Sequence, residues 1–170
     1  SRGGTVYGRT FMEGYITPSI GMQNWVSRTN YPALNVVQTG PAEMSVYVNQ
    51  NYAQPTACLH RYSMRIDGFA SLFAPYSGGE MITKPIVFDG EKLLLNFATS
   101  AAGEIKIEIQ DKAGEPIPGF TLDEAQPLIG NEIERTFSWN GETKLSDLAG
   151  APIRLRFVLK DAHIYSLQFK

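Results

Sequence analysis

Alternation of apolar and polar residues is the dominant pattern along this chain. In the segment 43–49, Met44, Val46 and Val48 share one side of an extended backbone, and the polar residues occupy the other. The same two-residue period recurs at 104–110 and 153–157, whereas no segment of helical length keeps a 3.6-residue period. The pattern therefore predicts an all-β chain with antiparallel strands.

The first part of the chain is predicted to form a three-stranded meander. Its strands span 33–39, 43–49 and 57–66. The sequence Gly40-Pro41-Ala42 is typical of a turn, because proline fixes φ where no ladder donor is required. Three antiparallel strands with short connections are the unit of a propeller blade.

The second part is predicted to be a more regular series of strands, at 69–73, 81–84, 86–88, 92–97, 105–109, 132–139, 153–157 and 164–169. Asp89-Gly90 predicts a two-residue hairpin before 92–97. The segment 145–150 is expected to form a single helical or 3₁₀ turn. Strands at this spacing, separated by turn residues, favour an antiparallel β-sandwich of the jelly-roll kind.

The predicted faces of two strands are specific enough to check. In 104–110 the isoleucines alternate with polar residues, so Glu104, Lys106, Glu108 and Gln110 are expected to form a solvated face. In the last strand, Tyr165, Leu167 and Phe169 are expected to face the core.

The chain changes character near Asp67-Gly68-Phe69. Before this point it is rich in aromatic residues, Asn, Gln and Arg, and after it the regular strands dominate. We therefore predict two domains, a propeller-blade-like β-meander at 1–66 and a β-sandwich at 67–170.

Charge and composition exclude several classes of function. The net charge is −2 and there is no Lys/Arg cluster, so we expect no nucleic acid partner. No apolar stretch is long enough to span a bilayer, so we expect no membrane partner. Residues 1–4 resemble no secretory signal and include no initiator Met, which predicts a chain taken from a larger product or a processed one.

Catalytic and metal-binding patterns are also lacking in the sequence. The single cysteine, Cys58, cannot form an internal disulfide, and no Cys/His or Asp spacing suggests zinc or calcium. His60 would share a strand face with Cys58, but packing roles are the simpler interpretation of both residues. Glu13, Glu43 and Asp67 show no spacing that pairs carboxylates for glycoside hydrolysis. We predict no catalytic residue, no metal and no cofactor.

The segment 24–32 is the first candidate binding site. Trp25 and Tyr31 offer rings that can stack on sugars, while Arg28 and Asn30 can donate directed hydrogen bonds. The alternative is that both rings pack a long loop against the sheet.

The loop after the second strand is the other candidate site. Asn51 and Tyr52, with Asn49, Gln54 and Thr56 near them, carry amides and hydroxyls that suit a neutral polyol. The alternative is a solvated turn.

Two further groups of residues are open to more than one interpretation. Arg61 and Arg65 share a strand face with Asp67, which predicts an Arg–Asp ion pair at a domain junction or the lining of an anion pocket. Tyr76 and Trp139 would form a stacking platform on a sandwich face, or else would lie at the rim of the core.

The longest segments that carry a resemblance are 24–32, 38–48, 52–56 and 61–71, with shorter ones at 83–85, 93–96, 116–120 and 154–157. Together they resemble the C-terminal region of bacterial glycoside-hydrolase-like proteins. Those proteins have a five-bladed propeller of the family-32/43 type followed by a small β-sandwich. The resemblance implies that residues up to about 66 form a last blade, and that catalytic acids lie on blades outside this sequence.

The function implied by this resemblance is that of an accessory portion of a carbohydrate-active protein. Its expected partners are an oligo- or polysaccharide and the remaining propeller domain of a parent glycoside hydrolase. The fragment alone is expected not to be catalytic. Its location is left open, although such a parent would favour secretion or the periplasm. The alternatives are a free-standing carbohydrate-binding module and a purely structural β-sandwich.

Overall fold

The computed structural model describes residues 14–18, 20–28, 30–141 and 143–170. In these residues the chain is all-β, apart from a short helix α1 (Met22–Ser27) and a 3₁₀ turn (Leu145–Leu148). The strands form two antiparallel sheets, so the predicted all-β, antiparallel class is confirmed. The chain divides into two compact units, unit 1 (Ser1–Met64) and unit 2 (Arg65–Lys170).

Unit 1 contains a sheet centred on β3. Its strands are β1 (Tyr31–Pro32), β2 (Val37–Gln38), β3 (Glu43–Gln50) and β4 (Cys58–Arg65), whose final residue belongs to unit 2. β1 pairs with the C-terminal part of β3 and β2 with its N-terminal part, while β4 also pairs with β3. The strands predicted at 43–49 and 57–66 are observed as β3 and β4, but of the strand predicted at 33–39 only β2 is formed, and β1 precedes it.

A left-handed residue explains why the first strand is interrupted. Asn35 lies between β1 and β2 with φ of 72°, a conformation that a regular strand does not contain. Asn tolerates this region better than most residues do. The continuous strand predicted at 33–39 is therefore wrong in detail.

Unit 2 contains a five-stranded sheet built on two long strands. Its strands are β5 (Leu72–Ala74), β6 (Gly79–Ile82), β7 (Leu93–Asp111), β8 (Asn131–Phe137) and β9 (Ile153–Phe169). β7 pairs along β9, β5 and β6 also pair with β9, and β8 pairs with β7.

Each long strand joins two strands that the sequence predicted separately. β7 contains 92–97 (except Lys92) and 105–109, and β9 contains 153–157 and 164–169. The register of β7 against β9 shifts between Thr99 and Glu104, opposite Asp161, which has φ of 43°. A bulge of this kind bends a strand without ending it. Long strands that bend in this way let a sheet curve around a core.

The core of unit 2 is formed by alternating residues of β7 and β9. Ile105, Ile107 and Ile109 are fully buried, as are their neighbours Leu155 and Phe157 on β9. Alternate residues of a strand point to one face, so a single side of each strand supplies these side chains. Burial of this much apolar surface is the main stabilising contribution.

The predicted hairpin at Asp89-Gly90 is wrong. β6, which precedes it, pairs with β9 and not with β7. Gly90 instead lies against the C-terminal residue, and the amides of Glu91 and Lys92 both donate to the carbonyl of Lys170. The turn residues are therefore correct, but the strands on either side are not partners.

The predicted solvated face of β7 is wrong at its C-terminal half. Glu108 and Gln110 are 4% and 6% exposed. The Gln110 amide donates to Glu108 Oε1 at 2.9 Å, and Arg156 Nη1 lies 3.4 Å from the same oxygen. Arg156 also donates to Glu80 at 2.7 Å, and its pKa is raised chiefly by that hydrogen bond. Paired charges and amides can be buried in this way where isolated ones cannot.

The predicted core face of the last strand is correct only for Phe169, which packs against the core. Tyr165 instead stacks on His163, and Leu167 is 37% exposed. The bulges along β9 change which residues point inward, so Ala162 and Ile164 take the buried positions.

The predicted Arg–Asp ion pair is also wrong. Arg65 donates to Asn96 Oδ1 from Nε (3.0 Å) and Nη2 (2.6 Å), and to Asn131 Oδ1 from Nη1 (2.7 Å). Its guanidinium lies over the ring of Tyr165, 4.1 Å from the centroid. Asp67 accepts a hydrogen bond from Ser166 Oγ. Arg65 is therefore held by neutral oxygens and a ring, within unit 2.

Candidate functional site

The predicted binding residues all lie in unit 1, and their large rings are half exposed. The exposed fractions are 51% for Trp25, 52% for Tyr31 and 55% for Tyr52. The structure groups them as a Trp25–Arg28 pair and a Tyr31–Tyr52 pair. In the described part of unit 1, no ring contact joins Trp25 to either tyrosine.

Trp25 is presented by helix α1, which the sequence pattern did not predict. The helix ends at Ser27. Its C-cap residue, Arg28, has a left-handed φ of 50°, and the Arg28 amide donates to Asn24 O at 2.9 Å. The same turn places the Arg28 guanidinium over the indole ring, 5.2 Å from the centroid. This cation–π contact restrains an exposed ring without burying it.

Tyr31 and Tyr52 meet because β1 pairs with the end of β3. Tyr31 is opposite Asn49, and Tyr52 lies in the turn that follows β3. Their rings make an edge-to-face contact, with centroids 5.4 Å apart and planes at 75°. Asn51, with φ of 56°, stabilises the turn by donating to Thr56 O at 3.1 Å. The two candidate segments of the sequence are thus brought together at this pair.

Asn30 belongs to a hydrogen-bonded network beneath these rings. Its Nδ2 donates to Ile16 O at 3.3 Å, and its Oδ1 accepts from Gln50 Nε2 at 3.0 Å. Gln50 Nε2 also contacts Tyr62 Oη at 2.5 Å. Because both atoms of the Asn30 amide already have partners, this side chain positions the segment around Tyr31 more than it offers free groups to a ligand.

Gln50 and Tyr62 are the residues that the sequence analysis missed. Gln50 is only 4% exposed. The buried position of Gln50 could have been predicted from the sequence. Gln50 continues the two-residue period of Val46 and Val48, which places its amide on an apolar face. A polar side chain at such a position needs a buried partner.

A second polar cluster in unit 1 is fully paired. Thr39 Oγ1 donates to Glu43 Oε1 at 2.6 Å and lies 2.8 Å from Ser45 Oγ. Arg61 donates to Ser45 Oγ at 3.1 Å and forms an ion pair with Glu43. The Thr39 hydrogen bond, with Arg61 as a smaller cause, lowers the pKa of the Glu43 carboxyl. These contacts join the strands of the sheet, and Arg61 has Glu43 as its partner in place of Asp67.

No catalytic or metal-binding arrangement is found in the described residues. Cys58 is a partly buried free thiol, and no hydrogen bond joins it to His60, whose ring lies 6.5 Å from that of Tyr62. No group of three or more His, Cys, Asp or Glu side chains in this part of the chain could hold a metal ion. Glu13 and residues 1–4 lie outside the described residues.

The platform suggested for Tyr76 and Trp139 does not form. Trp139 packs edge-on against Phe120 and Phe137, at centroid distances of 5.2 and 4.7 Å, in unit 2. Tyr76 is 62% exposed and lies beneath Lys160, 4.4 Å from its ammonium nitrogen. Trp139 is therefore at the rim of the core, which was the alternative interpretation.

The exposed side chains in unit 1 can make contacts of the kind that bind sugars. Exposed rings can stack on the C–H face of a sugar, and the Arg28 guanidinium can donate to hydroxyls beside Trp25. Each ring is restrained by a neighbour, so little conformational entropy is lost when a ligand binds.

No helix in the described residues is long and apolar enough to cross a membrane. No family model, curated protein or solved structure matches this chain. The resemblance to the C-terminal region of glycoside-hydrolase-like proteins therefore stays a prediction, and the geometry of unit 1 is the basis for a functional proposal.

Proposed function

We propose that unit 1 binds a neutral glycan, as a non-catalytic portion of a carbohydrate-active protein. The observation that supports this most is the half exposure of Trp25, Tyr31 and Tyr52, each restrained by a neighbouring side chain. Rings whose only role was to pack the loop against the sheet would be buried.

The charge around these rings favours a neutral ligand. Arg28 lies over the Trp25 ring, and the half-exposed Tyr31 and Tyr52 are uncharged. Glu43 and Arg61, which form an ion pair in the described part of unit 1, neutralise each other. Aromatic faces with a few directed donors are the usual composition of a pocket for a polyol.

Unit 1 exposes several apolar side chains, and this surface supports the remaining propeller domain as a partner. Leu34 is 89% exposed, Leu59 is 64% exposed and Val37 is 48% exposed. Blades of a propeller normally bury such faces against one another. We propose that this surface packs on the preceding blade of the parent protein, and that unit 2 supports that assembly.

The binding proposal is tested by affinity electrophoresis of the intact chain through gels that contain neutral or acidic polysaccharides. We expect at least one neutral polysaccharide to retard the chain. Trp25→Ala and Tyr31→Ala should each weaken that retardation by up to about tenfold, because a lost stacking contact contributes roughly 0.5–1.5 kcal/mol. Tyr76→Ala, which removes an equally exposed ring from unit 2, is the matched control and should leave retardation unchanged.

Two results would overturn the binding proposal. One is migration unaffected by every polysaccharide, which would favour a purely structural chain. The other is retardation that survives both substitutions but is lost in Tyr76→Ala, which would move the binding surface to unit 2. Circular dichroism of each variant shows whether it is folded.

A further inference from the structure

A polar cleft in unit 2 lies between the start of β7, β8 and the 3₁₀ turn. Its volume is about 420 Å³, which is within the range of roughly 300–1,000 Å³ that is usual for small-ligand sites. Its buried lining includes Phe120 and Phe137, which we call the floor, and its exposed lining includes Lys, Ser and Thr residues, which we call the rim. We call it the β8 cleft, and none of the candidate binding residues in unit 1 contributes to it.

The floor of the β8 cleft is rigid. Phe120 and Phe137 are 1% and 3% exposed, and both make edge-to-face contacts with Trp139. The Trp139 indole N–H donates to Ile107 O at 2.8 Å. The indole is therefore fixed in orientation, and what it can offer to a ligand is the partly exposed surface of its ring.

One wall of the cleft depends on a close approach between two loops. Gly119 has φ of 91°, and a side chain there would begin 1.7 Å from Thr143 Oγ1. Glu124 Oε2 accepts hydrogen bonds from the Gly119 amide at 2.9 Å and from the Thr121 amide and hydroxyl at 3.1 and 2.8 Å. The Thr121 hydrogen bonds are the largest cause that lowers the pKa of the Glu124 carboxyl, so the group stays ionised and keeps the turn in place. The cleft is thus largely preformed.

Among the described residues that line the cleft, basic side chains outnumber acidic ones. Lys92 and Lys144 line it, and neither is within ion-pair distance of a carboxylate in the part of the chain that the structure describes. Glu91 is the single acidic residue of the lining. Thr136, Ser138, Thr143 and Ser146 add hydroxyls, which can both donate and accept hydrogen bonds.

A second depression has lining residues in common with the cleft. It has a volume of about 490 Å³ and shares Glu91, Lys92 and Thr136 with the first. The Lys170–Glu134 ion pair lies in it.

We infer that the β8 cleft binds a carboxylated saccharide, such as a run of uronate residues. The ammonium groups of Lys92 and Lys144, which have no carboxylate partner among the described residues, would bind the carboxylate. The Trp139 ring would stack on a sugar face, and the lining hydroxyls would bind the sugar hydroxyls. A wholly neutral ligand would leave the ammonium groups without partners. This site is independent of the surface proposed in unit 1.

The test uses the fluorescence of Trp139 in the intact chain. Trp25 and Trp139 are the only tryptophans, so Trp25→Phe leaves Trp139 as the single reporter. Titration with an oligogalacturonate should change its emission in a saturable way. The Lys92→Gln/Lys144→Gln pair should weaken binding about a hundredfold, because each charge-assisted hydrogen bond contributes roughly a tenfold factor. Lys84→Gln/Lys112→Gln removes the same charge outside the cleft and should have little effect.

Three outcomes would overturn the inference. They are the lack of any saturable change in emission or calorimetric heat, equal binding of the fully methyl-esterified oligomer, and equal weakening by both lysine pairs. A sulfated oligosaccharide that binds more tightly than the uronate would overturn the choice of a carboxylate. Because Trp139 is the only tryptophan of the Trp25→Phe chain, its emission reports on the β8 cleft and not on the unit 1 surface.

Discussion

Replacing Phe157 by alanine is expected to lower the free energy of unfolding of unit 2 by about 3–5 kcal/mol. Phe157 is fully buried on β9, opposite Ile107 of β7 and Met81 of β6. The substitution removes the ring from the centre of three paired strands and leaves a cavity that neighbouring side chains fill only partly. A loss of this size is a large fraction of the stability of a domain.

Chemical denaturation followed by circular dichroism measures this loss. Phe73→Ala is the matched control, because Phe73 is 53% exposed and stacks on His163 at the surface of unit 2. We expect the control to cost less than about 1.5 kcal/mol, the contribution of a single aromatic pair. Equal losses in the two variants would contradict the assignment of Phe157 to the core.

Replacing Arg65 by methionine is expected to destabilise unit 2 by about 2–4 kcal/mol. The guanidinium donates to Asn96, which is 3% exposed, to Asn131, and to the carbonyls of Phe97 and Glu132. Methionine fills much of the space of the aliphatic stem but leaves these acceptors without partners. Buried polar groups that lose their partners cost more than the hydrogen bond itself contributes.

Arg65→Lys tests whether the planar guanidinium is required or a positive charge is enough. A single ammonium cannot reach acceptors on both Asn96 and Asn131 from the directions that a planar guanidinium does, so we expect lysine to recover only part of the loss. Arg135→Met is the control, since the Arg135–Glu132 ion pair is exposed and 3.4 Å long. Full stability of Arg65→Lys in thermal denaturation would show that charge alone is sufficient.

The sequence pattern predicted the strands well where a single face was buried. The alternation corresponds to an observed strand and to burial for Val46 and Val48 of β3 and for the isoleucines of β7. The same rule failed at Glu108 and Tyr165, for a physical reason. A two-residue period shows which residues share a face, but not whether a second layer covers the other face or whether a bulge reverses the order.

Interruptions and continuations of strands were also not predictable. Asn35 interrupts the first strand because of its left-handed backbone, and nothing in a single sequence distinguishes it from an Asn in a strand. Conversely, β7 continues past its bulge because residue 103 is glycine. A side chain at this position would collide with the carbonyl oxygens of Lys160 and Asp161. Close approach between distant segments becomes visible only in three dimensions.

The candidate site was predictable in its residue types but not in its grouping. The sequence indicated Trp25, Arg28, Tyr31 and Tyr52, yet the choice between packing and binding depended on exposure. The Trp25–Arg28 contact depends on helix α1, which is too short to show a period. The role of Asn30 depends on Gln50, twenty residues away in sequence.

The central claim, that unit 1 carries the neutral-glycan surface, is tested most directly by nitrogen-15 NMR of the intact chain. Two indole N–H signals are expected, from Trp25 and Trp139, and Trp25→Phe assigns them. The neutral glycan that retards the chain most strongly should shift the Trp25 signal progressively and leave the Trp139 signal in place. A bound glycan that shifts Trp139 and leaves Trp25 unchanged would contradict the claim.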